Sequence, residues 1–308
     1  MHNAILLFRF NLKFYRVVYF LKFWVKLALR IFCPKVNIAN QHYLNSKGPL
    51  LMVANHPNSF LDAVIIGAFY QRKINFLARG DVFQNPIFGY LLRSIGMIPV
   101  FRAREGKEHL HRNSHTFQES VDIIKEGGAV LIFIEGICLN THEIQPFKKG
   151  ASRILETLHA LDIFPHVHVI GIAYNSFRGI GKSVNIDISE IESIKPIIEP
   201  SDRLFFNASA MQKMSKNITV PMEKTFVSHG LPYYFHLPYY RLIEYGVGLK
   251  FKQTVFFDSV LFAALLFTYP IYLALWAWLL CAIGIPTLIA SILVFLMPIL
   301  GAKIIKLA

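Results

Sequence analysis

The sequence predicts an α/β domain whose sheet is covered by helices on both faces, set between an N-terminal interfacial helix and a C-terminal membrane hairpin. Three observations predict it. Short apolar runs alternate with helical patterns from about residue 46 to 190. A cationic, aromatic and amphipathic stretch precedes them. An apolar run holding a single charge follows them. The division expected is 1–35 for the membrane-associating helix, 36–250 for the α/β domain and 251–308 for the hairpin. A chain of 308 residues is long enough for one large domain with such accessory segments.

Composition points the same way. Hydrophobic residues make up 54% and charged residues 17%; a soluble enzyme is usually less apolar and more charged. The formal net charge is +13, which suits nucleic acid, an anionic membrane surface or a phosphorylated substrate. Here the cations sit among long apolar runs, which favours membrane and phosphate. Zinc-finger spacing, an RNA-binding aromatic signature and a basic tail are all missing, so nucleic acid is not an expected partner. Cys33, Cys138 and Cys281 are far apart and odd in number. They imply neither a disulfide framework nor a metal site, and they fit a reducing compartment. No cleavable signal peptide is expected, because cations recur through the first apolar stretch.

Residues 4–32 read as one helix. Its cations Arg9, Lys13, Arg16, Lys22, Lys26 and Arg30 share one half of a helical wheel. The other half carries Leu, Phe, Val and Trp, as in a helix lying in the headgroup plane; a core-packing amphipathic helix is the alternative. Cys33-Pro34 ends it. Strands are then expected at 50–55, 74–79, 129–136, 166–176 and 183–188, with 97–103 extended. Helices are expected at 59–70, 86–96, 109–128 and 149–163. The strands are nearly continuous apolar runs, as in sheets covered on both faces. Residues 191–250 are less regular. LPYY occurs at 231–234 and again at 237–240, which suits either a bilayer interface or a structural elbow. From Val255 to Ala302 the one charge is Asp258. That run has room for two spans of about 20 residues, turning at Gly284-Ile285-Pro286. Lys250, Lys252, Lys303 and Lys306 flank it, which favours both ends on the cytoplasmic side. A re-entrant hairpin is the alternative, since the second half is short.

Chemistry concentrates in ANHPNSFLDAV, residues 54–64. His56 falls where a buried strand meets a helix, a usual place for active-site groups in α/β domains. A histidine there can take a proton from a hydroxyl, provided a carboxylate such as Asp62 holds its tautomer. Ser59 and Asp62 also fit a loose capping box, and the two readings are compatible. GMIPVFR (96–102) adds Arg102 after an extended segment. FIEG (133–136) adds Glu135 and Gly136 after a strand. PFKKGA (146–151) adds Lys148 and Lys149 at a helix start, a ready anion site. Arg79 and Arg104 are further cations at element ends. Together these residues describe a pocket with a base and a phosphate clamp.

NHPNSFLD, GMIPVFR, FIEG with FKKGA, and VIGIAY resemble, in order, the four blocks of the phospholipid/glycerol acyltransferase family, which includes the lysophosphatidic acid acyltransferases. The resemblance covers roughly residues 45–190. It implies a glycerolipid acyltransferase-like fold with a mixed sheet, no cofactor, and transfer of a fatty acyl group from acyl-CoA or acyl-carrier protein to a glycerol hydroxyl. His56 would be the general base and Asp62 its orienter. Arg102 would bind the acceptor's phosphate, Glu135 and Gly136 would position the acceptor, and Lys148 and Lys149 would add positive potential. Backbone N–H groups near Gly136 would serve the oxyanion. The implied setting is the cytoplasmic face of the cell (inner) membrane, with membrane phospholipid and a lysophospholipid acceptor as partners.

Four departures stand out. The family usually has four residues between the His and the Asp; this chain has five. Ile134 replaces a proline, and Ile137-Cys138 replaces a Thr-Arg pair, which removes one phosphate-binding arginine. Gly171 stands where the fourth block usually has proline. The missing arginine keeps glycerol 3-phosphate and a lyso-aminolipid open as acceptors, and the altered spacing keeps a non-catalytic scaffold open. Cys138 as a nucleophile, His166 and His168 as metal ligands, and RGIGKS (178–183) as a phosphate loop are set aside. Direct transfer needs no nucleophilic cysteine, no third ligand is evident, and a strand rather than a helix follows the glycines.

Overall fold

The computed structural model describes residues 21–101, 112–192, 194–222, 225–227, 230–301 and 305–307. A helix over 21–32, α1, leads into β1 (Lys35–Ala39) and a 3-10 turn (Gln41–Asn45). Then β2 (Leu50–Ala54), α2 (Phe60–Phe69), β3 (Asn75–Arg79), α3 (Pro86–Ser94) and β4 (Met97–Val100) alternate. They continue as α4 (Arg112–Lys125), β5 (Ala129–Phe133), α5 (Gly150–Ala160), β6 (His166–Tyr174) and β7 (Ser183–Glu190). The chain proceeds through α6 (Pro200–Asn217), β8 (Thr225–Val227), α7 (Leu231–Phe251), α8 (Phe257–Ala282), α9 (Thr287–Gly301) and β9 (Ile305–Leu307).

Seven strands form one sheet in the order β1-β7-β6-β2-β5-β3-β4. Neighbours pair parallel except β6 and β7, which are antiparallel, so β1 and β7 run against the other five. The α/β class with a mixed sheet is therefore as expected. β2 is central and wholly buried. Successive side chains of a strand point to opposite faces. Leu50, Met52 and Ala54 accordingly pack in one core with α1, α2 and the start of α8, whereas Leu51 and Val53 pack in the other with α4, α5 and α6.

Several details differ from the sequence expectation. β1 was not expected: KVNIA is short and alternates exposed with half-buried positions, so no apolar run marks it. The two LPYY copies lie in one continuous helix rather than an elbow. Pro232 sits in the first turn of α7, where its missing N–H costs nothing, and Pro238 is inside the helix. Tyr239 there stacks on Tyr272 of α8, with centroids 4.5 Å apart.

The described part of the N-terminal helix divides its contacts. Leu29 and Phe32 are buried in the core, while Leu21, Phe23 and Trp24 are exposed. Lys22 donates to the carbonyls of Tyr70 and Arg72, and Lys26 lies over the Phe69 ring. These two cations face the protein rather than headgroups. Residues 4–20 lie outside the described residues.

At the other end, α8 is long and apolar enough to cross a membrane. It rises about 39 Å and α9 only about 22 Å, against a hydrocarbon core of about 30 Å. Of the two expected spans, only the first has the length. The break between them falls at Gly284, whose φ of 92° suits glycine.

Candidate active site

β6, β2, β5, β3 and β4 run the same way, and their C-terminal edge is where an open α/β sheet binds ligands. The chain order places His56 just after β2, Glu135 just after β5, Tyr174 at the end of β6 and Arg79 at the end of β3.

His56 Nδ1 lies 2.9 Å from Asp62 Oδ2. The Asp62 side chain is fully buried and that of His56 is 15% exposed. A carboxylate only accepts, so Nδ1 carries the proton and Nε2 keeps a lone pair. Two more donors hold Asp62: the Asn58 N–H at 2.8 Å on Oδ2 and the Tyr174 hydroxyl at 2.7 Å on Oδ1. Burial, and then the Asp62 charge, push the Tyr174 hydroxyl well above its ordinary range, so it remains a donor. The imidazole also stacks on Phe133, with centroids 3.8 Å apart and planes 14° apart.

The five intervening residues do not turn Asp62 away. Ser59 takes φ 53°, ψ −139°, a backbone state that costs a non-glycine residue about 1–3 kcal/mol, and this absorbs the extra residue. Its side chain makes no capping bond. The expected capping box is absent because the Asp62 carboxylate is committed to Asn58 and His56 instead. The Ser59 N–H meets Cys138 Sγ at 3.0 Å. The Asn140 side chain donates to the Pro57 carbonyl at 2.8 Å. Cys138, set aside as a nucleophile, thus anchors the turn.

The other expected residues divide. Glu135 is 4% exposed, and its oxygens accept the N–H of His56 at 3.1 Å and of Gln145 at 2.9 Å. Burial raises its carboxyl above the usual range, against the pull of those two N–H groups. The carboxylate therefore braces the His56 backbone. Gly136 has φ 62° and spends its N–H on the Phe133 carbonyl at 3.0 Å, so that N–H is not an open oxyanion donor. Lys148 and Lys149 are exposed at the start of α5, and the Lys148 stem passes close to Gly136. Arg79 is bound through two nitrogens to Asp81 and lies 5.6 Å over the Phe256 ring; much of its charge is already matched. Arg102 and Arg104 lie outside the described residues. Next to them, Phe101 is held at both its N–H and its carbonyl by the Asn113 side chain.

Sequence reasoning missed Tyr174 and Asn58 as holders of Asp62, and also Lys182, Asp258 and Ser259 beneath the turn. Only Asp258 left a signal, as the single charge in an apolar run. His168 is fully buried, between Tyr70 and Ser46, whereas His166 pairs at the surface with Glu190. Among the described residues no group of three or more His, Cys, Asp or Glu is placed to hold a metal ion.

Residues 35–175 match the family model described as Acyltransferase. That stretch contains the four blocks and is similar to the family that they resemble. A chloroplastic 1-acyl-sn-glycerol-3-phosphate acyltransferase of Brassica napus is 28% identical over 155 residues, covering 50% of this chain and 42% of that protein. A lyso-ornithine lipid O-acyltransferase of Brucella abortus is 29% identical over 126 residues, covering 41% and 43%. The chain thus matches about two fifths of the length of these curated relatives. Among solved structures, the 1-acyl-sn-glycerophosphate acyltransferase PlsC of Thermotoga maritima is similar at 14% identity and a TM-score of 0.46, covering 70% of this chain and 88% of that one.

Proposed function

We propose that the protein transfers a fatty acyl group from an acyl-CoA or acyl-carrier-protein thioester to a hydroxyl of a lysophospholipid, 1-acylglycerol 3-phosphate being the reference acceptor. It would act in phospholipid biosynthesis, at the cytoplasmic face of the membrane, without a cofactor. The observation that carries this reading is the His56–Asp62 pair at 2.9 Å on the carboxyl edge of the sheet. His56 Nε2 takes the proton of the acceptor hydroxyl as the oxygen attacks the thioester carbonyl. The tetrahedral adduct then collapses. The C–S bond breaks, the thiolate leaves with the proton held on Nε2, and an ester and a free thiol result. Asp62 keeps the imidazolium in register. Arg102, with Arg104, Lys148 and Lys149, would supply positive charge for an anionic headgroup, and Arg79 would contribute less because of Asp81. The match of residues 35–175 to the acyltransferase family model and the apolar helix α8 support the reading.

A lyso-aminolipid acceptor is a second reading. It is favoured by Cys138 in place of the third-block arginine and by the lyso-ornithine lipid relative. The test is an acceptor screen on the full chain in phospholipid micelles, with acyl-CoA and acyl-carrier protein as donors. Esterification of 1-acylglycerol 3-phosphate in preference to glycerol 3-phosphate and lyso-aminolipids is expected, and its loss in His56→Ala. An intact chain that acylates none of the three overturns the reading in favour of a scaffold.

A further inference from the structure

The turn that joins His56 to Asp62 is held from below by the first residues of α8, some 200 positions later in the chain. Ser259 Oγ accepts the Leu61 N–H at 3.0 Å and donates to the Asn58 carbonyl at 3.2 Å. One hydroxyl therefore spans Ser59, the residue with the unfavourable backbone state, and ties down the chain on both sides of it. Beside it, Asp258 Oδ2 accepts from the Asn58 side chain at 3.1 Å and pairs with Lys182 Nζ at 2.7 Å. Asp258 Oδ1 accepts the Gly179 N–H at 2.9 Å. The Asp258 and Lys182 side chains are both completely buried. Cys138 in turn holds the Ser59 N–H. Two of the departures from the family pattern, the added residue and the lost arginine, thus meet in one contact.

A buried charge is costly unless it is paired and hydrogen-bonded. Here the single charge of an otherwise apolar run is spent on the loop beneath the dyad. A positive-φ serine is costly unless its surroundings over-determine it, and the hydroxyl that does so belongs to the same helix start. We propose that Asp258 and Ser259 are positioning residues: the N-terminal end of α8 sets the His56–Asp62 geometry by holding Ser59 in its positive-φ state. Neither touches a reacting atom in this scheme. The proposal rests on the acyltransferase reading for its kinetic consequence only.

The test uses the full chain in phospholipid micelles. Ser259→Ala is expected to lower kcat about tenfold, the scale of the two hydrogen bonds removed, with the KM of donor and acceptor unchanged. Amide exchange across 58–62 should accelerate. Adding Ser59→Gly to that variant should restore kcat and slow exchange again, because glycine adopts positive φ without the strain. If Ser259→Ala does not fold, Asp258→Asn, which keeps the side-chain shape but removes the charge paired with Lys182, carries the same expectations. Unchanged kcat and exchange in Ser259→Ala would overturn the inference, and so would a loss of kcat that Ser59→Gly leaves uncorrected. An intact chain that acylates nothing, yet shows the exchange changes and their reversal, refutes the acyltransferase reading and supports the positioning role.

Discussion

At the scale of single residues, the dyad concentrates its hydrogen bonds on Asp62. Three donors converge on one buried carboxylate, and the geometry of His56 follows from theirs. Removing the imidazole with His56→Ala should lower kcat by about 10²–10⁴, with the far-ultraviolet circular dichroism unchanged. Tyr174→Phe removes one neutral donor of the three and should lower kcat by about fivefold to tenfold; an unaltered kcat would show that the other two suffice. Arg102→Ala should raise the KM of a phosphorylated acceptor more than that of the donor. Equal KM values for intact and variant protein would remove Arg102 from the clamp. His56, Asp62 and Glu135 were legible because each ends a strand or opens a helix within a short motif. Tyr174 was visible in its own block, but its role was not: it meets Asp62 only because β6 pairs with β2.

At the scale of elements, periodicity located most helices and strands, since buried parallel strands are apolar throughout. β1 escaped because only alternate residues are covered. Gly171 shows how packing between elements explains a local departure. A Cβ there would lie 2.6 Å from the Asn217 backbone at the end of α6. Asn217 is itself tied to β6 and β7 through the Val169 carbonyl and Ser189. Gly171→Ala should cost about 1–3 kcal/mol of stability by overpacking, read as a lower melting temperature. A buried ion pair joins Lys182, the residue before β7, to Asp258 of α8. Lys182→Met leaves Asp258 buried without its ion partner, and should destabilise by about 3–5 kcal/mol. Replacing both members with apolar residues of similar size should recover most of that loss.

Across the whole molecule, two properties set the conditions under which it works. The first is acid sensitivity. Burial holds the His168 imidazole down to about 4, against an ordinary 6.5. Between these values the unfolded chain binds a proton that the folded chain refuses, so stability falls as pH drops from about 6.5 towards 4. His168→Gln should flatten part of that fall in melting temperature between pH 7 and 5. The second is exposed apolar surface. α3 presents Ile87, Phe88 and Leu91, and α8 presents Phe267, Ile271 and Trp278; patches of this kind mark membrane or partner contact. By itself the sequence determined the α/β class and the likeness to the acyltransferase family, and it singled out His56 and Asp62 as a candidate base and carboxylate. Those depend on residue type and on spacing over a few positions, which a linear pattern preserves. Only the tertiary structure decided what holds them. Tyr174, Lys182, Asp258 and Ser259 reach the turn at 54–64 through strand pairing and helix docking, and contacts between residues so far apart leave no periodicity to read.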